Sequence, residues 1–145
     1  MKVNCSSTLT DENKRFLYDI YNIFDNDDNT AWVKGTEGEG VNEWIKFEFD
    51  KEYTVNRIDI ISGYSKSSDI FKANNRVKKL ELLFSDSTRV NLNLKDTMDL
   101  QQVKIEPRVT KSIKFIIKDI YKGSKYEDTA ISEMKLWKAS NEENN

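Results

Sequence analysis

The chain concentrates its oxygen donors in one place. Between Phe24 and Trp32 lie Asp25, Asn26, Asp27, Asp28, Asn29 and Thr30, a run of carboxylates, amides and one hydroxyl without helical or strand periodicity. These are the hard oxygen ligands that Ca²⁺ takes, about six to eight at a time. The same side chains bond readily to nearby backbone and so favour tight turns. The segment reads as a turn folded around one cation, with Phe24 and Trp32 packed into the core on either side. The alternative reading is a polar loop whose acids face water. The spacing is not that of an EF-hand, which carries Gly at its sixth position and Glu at its twelfth.

Other chemistry is sparse. No histidine occurs in the 145 residues, which removes the commonest general base and transition-metal ligand. Cys5 is the single cysteine, so no internal disulfide forms, and without a histidine to activate it Cys5 reads as an idle thiol. Gly35, Gly38 and Gly40 cluster, but Glu37 and Glu39 among them would repel a phosphate. A carboxylate-pair hydrolase drawing on Glu37, Glu39, Glu43 or Glu127 remains a formal rival, since such a pair needs roughly 5–10 Å separation in a cleft. Net charge is −2 with 33% charged residues of both signs, which gives no basic stripe for nucleic acid. No run reaches the length of a membrane span. No secretory h-region follows Met1, so the expectation is a cytosolic chain or a piece of a longer exported one.

The elements that must position the acidic turn are mostly strands. Lys2–Thr8 reads as an edge strand. Asp11–Ile23, with Phe16, Leu17, Ile20 and Tyr21, reads as a short helix or helical turn capped by Thr10 or Asp11. The period then changes to two. Ile45, Phe47 and Phe49 share a face, and Asp50-Lys51-Glu52 reads as a turn. Thr54–Ser62, Val77–Phe84 and Arg89–Leu94 alternate likewise, with Ser85-Asp86-Ser87 as a hairpin connection. Val103 and Ile105 mark a short strand before Pro107. Ser112–Ile120 and Thr129–Trp137 complete the set, with Met134 and Leu136 inward. About eight strands and one N-terminal helical turn give an all-β antiparallel sandwich over residues 1–138, with a polar tail at 139–145.

Three stretches carry a resemblance. The run Phe-Asp-Asn-Asp-Asp-Asn-Thr-Ala-Trp, the strand Trp-Ile-Lys-Phe-Glu-Phe and the closing Ile-Ser-Glu resemble the discoidin, or coagulation-factor C-type, domain. That family has the galactose-binding-like jelly-roll fold and includes many bacterial carbohydrate-binding modules. Asn26 stands where the family usually has Gly, and Asn also tolerates the left-handed conformation. The runs Gly63–Lys66, Asn74–Leu80 and Tyr121–Glu133 are similar to the glycan-binding domain attached to secreted bacterial NAD-glycohydrolase toxins. The enzymatic part of such toxins has no counterpart here. The resemblance therefore implies a non-catalytic binding domain of an exported, extracellular or cell-surface protein, with a fused or partner enzyme domain. It also implies a structural Ca²⁺ held by Asp25 and Thr30, the carbonyls of Asn22, Asp27 and Ser132, and the Glu133 carboxylate. A cation between acids from opposite ends of the chain would staple them together.

Sugars ask for planar donors and acceptors beside an aromatic face. The long connection Tyr64–Arg76 lacks clean periodicity and is where such residues gather. Tyr64, Lys66, Asn75 and Arg76 from it, with Tyr126 from the loop Tyr121–Tyr126, form the expected ligand face. The loop Lys34–Glu43 is a third candidate. Each residue also has a plainer reading. Phe71 suits a core plug, Asn75 a loop brace, Arg76 a partner for Asp69 or Glu127. Trp32 and Trp137 read as core, Trp44 as either, and Lys78-Lys79 as solvated surface. Rivals on the same scaffold are a protein-interaction module, favoured by exposed Phe71 or Tyr21, and phospholipid binding, which wants hydrophobic loop tips with basic flanks.

Overall fold

The computed structural model describes residues 1–10 and 17–139. The expected helix start and its cap fall partly on 11–16, and the tail from Ser140 onward likewise lies outside the described residues. Seven strands are described: β1 (Lys2–Cys5), β2 (Trp32–Val33), β3 (Trp44–Ser62), β4 (Arg76–Phe84), β5 (Arg89–Asn93), β6 (Gln101–Tyr121) and β7 (Ala130–Lys138). A 3-10 turn, Ile20–Phe24, precedes the acidic segment, its Tyr21 N–H donating to the capping Asp19 carboxylate at 2.9 Å. The fold is an antiparallel jelly-roll sandwich, as the alternation of apolar residues required.

Strand pairing defines two layers that share their longest members. The first half of β3 pairs with β1 and with the second half of β6, which continues to β4 and β5. The second half of β3 pairs with the first half of β6 and with β7, which holds β2. Both long strands thus cross from one layer to the other. Inward residues of the two layers meet in one core. Ile45, Phe47, Leu80, Leu82, Ile113 and Phe115 come from one layer, and Ile58, Ile60, Met134 and Trp32 from the other, all at most 1% exposed. Phe24, Phe47 and Phe115 stack edge to face at 5.5 Å spacing, the aromatic geometry favoured by ring quadrupoles.

Four expectations need correction. Asp50-Lys51-Glu52 is not a turn: β3 runs extended through it for 19 residues, and a register shift between Glu48 and Tyr53 absorbs the bend. Val103, Ile105 and Ser112–Ile120 belong to one strand of 21 residues, not two. Pro107 falls at the register shift between Arg108 and Lys104, where a missing N–H breaks no ladder bond. The connection after β3 is not irregular throughout, since Ser68–Ala73 forms a short helix, α1, with the Ser67 hydroxyl accepting from the Ile70 N–H at 3.1 Å. Trp137 is not core: it is 47% exposed. β2 was not anticipated, because its two residues are too short for alternation to register.

Candidate functional site

The acidic turn is built as a local coil of side-chain to backbone bonds. The Asp25 carboxylate accepts from the Asp27 N–H at 2.9 Å and from the Thr30 hydroxyl, and Asp27 accepts from the Asn29 N–H at 2.9 Å. Asn26 adopts φ 56°, the left-handed conformation that its place in the turn requires. Asn22 closes the base, its amide donating to the carbonyls of Leu17 at 2.8 Å and Ala31 at 3.0 Å. From the far end of the chain β7 brings Glu133 against Asp25. Glu133 is 3% exposed, and neither of its carboxylate oxygens has a hydrogen-bond partner.

The electrostatics follow from that arrangement. Burial and the neighbouring Asp25 carboxylate push Glu133 up to about 7. Burial also pushes Asp25 upward, but the Thr30 hydroxyl and the Asp27 N–H outweigh it and hold Asp25 below the usual carboxylate range. Two buried oxygens without donors, facing a second ionised carboxylate, form a donor set suited to a hard cation. Among the described residues no three His, Cys, Asp or Glu side chains converge. A cation at this point would therefore have to draw on the Thr30 hydroxyl and on backbone carbonyls as well. Ser132 can offer only its carbonyl, because its hydroxyl donates to the Gly63 carbonyl at 2.8 Å and accepts from the Ser65 N–H at 3.0 Å. Ser65 in turn donates to the Asp28 carbonyl at 2.9 Å, which ties the turn to the segment after β3.

The same end of the sandwich carries the expected ligand face, but α1 divides it. Tyr64 and Lys66 lie on the side of the acidic turn. Tyr64 is half-buried, edge-on to Tyr18 at 6.3 Å, and burial raises its hydroxyl pKa. Lys66 is exposed. Asn75, Arg76 and Tyr126 gather at the other end of the helix. Asn75, 2% exposed, donates to the Glu127 carbonyl at 2.9 Å and the Thr129 hydroxyl at 3.2 Å and accepts from the Gly123 N–H at 2.7 Å. Arg76 holds Asp96 through two nitrogens, at 2.9 and 2.8 Å, and donates to the carbonyls of Lys72, Asn74 and Lys122. Its guanidinium lies 5.1 Å from the Phe71 ring centre. Both side chains are thus occupied as braces. Phe71 is a core plug at 7% exposure, and the acid paired with Arg76 is Asp96 rather than Asp69 or Glu127.

What remains outward is Tyr126, 47% exposed, with the Lys125 ammonium 5.2 Å from its ring centre. Its loop is bolted down from behind. The Ala73 carbonyl accepts from the Lys125 and Tyr126 N–H groups at 3.2 and 2.8 Å. A Cβ added to Gly123 would stand 2.4 Å from that carbonyl oxygen. Gly123→Ala is therefore expected to lower the urea midpoint by an amount equivalent to about 2 kcal/mol, by forcing the loop off α1. The third loop joins through Thr129, whose hydroxyl donates to the Glu39 carbonyl at 2.5 Å, and through Lys122 and Glu39 at 3.2 Å. Lys34, 2% exposed, turns its ammonium onto the carbonyls of Thr36 and Gly38. Its burial had no sequence signal, because its partners are backbone atoms.

The family model described as the NAD glycohydrolase translocation F5/8 type C domain matches residues 1–137. The chain belongs to this family. A search of the curated proteins finds no match. Among solved structures, this translocation-type F5/8 C domain is similar to part of the mycobacterial arabinofuranosyltransferase AftD, with TM-score 0.74 and 16% identity over 96% of this chain and 10% of that one. The chain thus spans about a tenth of that protein. It is also similar to the paired CBM32 domains of Clostridium perfringens ZmpB in complex with GalNAc, with TM-score 0.68, 22% identity, and coverage of 96% and 33%. The family 32 module of C. perfringens NanJ, in complex with galactose, gives TM-score 0.65 and 14% identity over 93% of this chain and 91% of that one. These likenesses establish the jelly-roll fold.

Proposed function

We propose that the domain is a non-catalytic glycan-binding module whose loop end is fastened by a structural Ca²⁺. The observation that carries the reading is the fixed loop end. Three loops are locked to one another through Asn75, Thr129 and Gly123, and they leave Tyr126, Lys125 and Lys66 outside. A rigid scaffold that presents an aromatic ring beside polar groups suits a sugar, which loses little entropy to the protein on binding. The CBM32 structures in complex with GalNAc and galactose support the same reading. The absence of histidine supports binding rather than catalysis. So do the engagements of Glu39 with Lys122 and of Glu43 with the Ser7 hydroxyl, which occupy two members of the candidate carboxylate set. The ligand contacts fall on Tyr126, Tyr64 and Lys66, with Asn75 and Arg76 behind them.

The cation would be held by Asp25, Thr30 and Glu133 with carbonyls of Asn22, Asp27 and Ser132. Its role is charge neutralisation and closure of the acidic turn onto β7. The family description supports placement in an exported protein, as the recognition part of a larger enzyme-bearing chain. A glycan array with the Ca²⁺-loaded domain tests the binding reading. A sugar-selective signal is expected, falling at least about tenfold in Tyr126→Ala while Lys78→Ala, on the outer strand surface, keeps it. A folded domain that binds no glycan would overturn it. A protein-interaction role is then the second reading, favoured by Tyr21, which stands 64% exposed beside the acidic turn. Phospholipid binding has less support, since Phe71 is withdrawn into the core.

A further inference from the structure

The loop Lys34–Glu43 is built around its own lysine. The Lys34 side chain passes against Gly40, where a Cβ would stand 2.9 Å from its Cγ, and ends with its ammonium on the carbonyls of Thr36 and Gly38. Gly38 and Gly40, left-handed at φ 82° and 81°, let the chain bend around it. Lys34 is 2% exposed, and among the described residues no carboxylate pairs with it. Burying an ammonium on neutral oxygens is costly, and what that cost secures is the position of residues 36–39. Thr129 adds a second tie, its hydroxyl donating to the Glu39 carbonyl at 2.5 Å.

The side chain positioned in this way is that of Glu39. It pairs with Lys122 at 3.2 Å, and both groups are open to solvent, 38% and 73% exposed. Lys122 belongs to the loop of Tyr126. The Ala73 carbonyl that accepts from the Tyr126 N–H is also the group a Cβ at Gly123 would strike, so Lys122 and Tyr126 leave one tight turn. Asn75 joins the two loops from beneath, bonded at once to Thr129, Glu127 and Gly123. An exposed ion pair adds little to stability, so folding alone does not explain fixing one at such cost. The pairing bars neither group from a ligand, since a carboxylate keeps lone pairs and an ammonium keeps N–H groups beyond a single partner.

We propose that Glu39 and Lys122 read two adjacent hydroxyls of an uncharged sugar whose ring lies at Tyr126. This deepens the glycan reading above and rests on it. Adjacent hydroxyls of a pyranose are spaced much as these two charged groups are. One donates to Glu39 while its neighbour accepts from Lys122, both as charge-assisted bonds. The charge of the two loops disfavours an anion, because Lys122 and Lys125 are outnumbered by Glu37, Glu39, Glu127 and Asp128.

The test is an amide NMR titration of the full chain with the methyl glycosides of galactose, glucose, mannose, N-acetylgalactosamine and N-acetylglucosamine, their per-O-methylated counterparts, and the methyl uronosides of galactose and glucose. At least one neutral glycoside with free hydroxyls is expected to move the Glu39, Lys122 and Tyr126 amides. The uronosides should bind more weakly and the methylated forms not at all. Glu39→Ala and Lys122→Met should each weaken the binding about tenfold and keep the thermal midpoint within about 4 °C of the parent. Glu37→Ala, on the same loop, should keep the parent affinity. Binding that survives either variant, that a uronoside or a methylated sugar equals, or that is lost only together with a larger fall in midpoint would overturn the proposal. The glycan reading still stands in those cases if Tyr126→Ala abolishes the binding. Silence toward every probe overturns the proposal too, and the glycan reading falls with it only when the array is blank as well.

Discussion

Saturating Ca²⁺ is expected to raise the thermal midpoint of the domain by about 10 °C near neutral pH, and Glu133→Gln to abolish the rise. The size follows from mass action. A ligand at about a hundred times its dissociation constant stabilises by about 2.7 kcal/mol, and about 4 °C per kcal/mol is typical for a domain of this length. The sign at Glu133 makes the test sharper. In the metal-free domain its folded pKa, about 7, lies above the unfolded value of 4.5. Stability is therefore fullest below the unfolded value and falls as pH rises from there through 7. The loss is roughly 2–3 kcal/mol by the last of that window. In chelator at mildly alkaline pH, Glu133→Gln should accordingly melt higher than the parent chain, because it removes one of two facing carboxylates. With Ca²⁺ present the order reverses. Scanning calorimetry at two pH values, with and without chelator, reads all four states. A parent chain indifferent to millimolar Ca²⁺ at pH 8 would end the structural-cation reading.

Arg76→Ala should cost about 2–3 kcal/mol of stability, or about 10 °C in midpoint, without changing the intrinsic affinity for sugar. The side chain holds Asp96, three carbonyls around α1 and the face of Phe71 at once. Its removal leaves those carbonyls short of donors and uncovers the plug. Lysine cannot span a carboxylate and three carbonyls, so Arg76→Lys should recover less than half of the loss. The discriminating measurement is affinity at a temperature where the variant is fully folded. A stable Arg76→Ala domain that has lost its ligand would return Arg76 to the binding face.

These residues also mark how far sequence reading carries. Ile45, Phe47, Leu80, Leu82, Ile113 and Phe115 alternate over runs long enough to name their strands and their buried face. Asp50-Lys51-Glu52 does not, because three polar residues have the composition of a turn even where the backbone stays extended. Only the cross-strand register reveals the difference. Helix α1 was hidden because it buries one residue, Phe71, and so has no periodicity to detect. Trp137 has the composition of core but a position on the outer face, where Asp59 and Arg57 hold it. In the candidate site the acidic turn was legible because its bonds are local. The family resemblance, rather than any spacing, is what paired Glu133 with it. For Asn75 and Arg76 a bracing role stood beside the ligand-face reading, but the choice between them was not legible, since their partners Asp96, Gly123 and Glu127 are remote in sequence and several are backbone atoms.

One feature of the sandwich governs how all such effects will be felt. β3 and β6 each belong to both layers. A strand shared in this way cannot melt in one layer and persist in the other, and here the two shared strands are also each other's neighbours. The layers are therefore expected to unfold as a single cooperative unit, with partial opening left to the short outer strands β1, β2 and β5. A cation bound at one end would then raise the free energy of opening amides at the far end as well. Hydrogen exchange around Trp137 would slow when the acidic turn is filled, although nothing moves between the two.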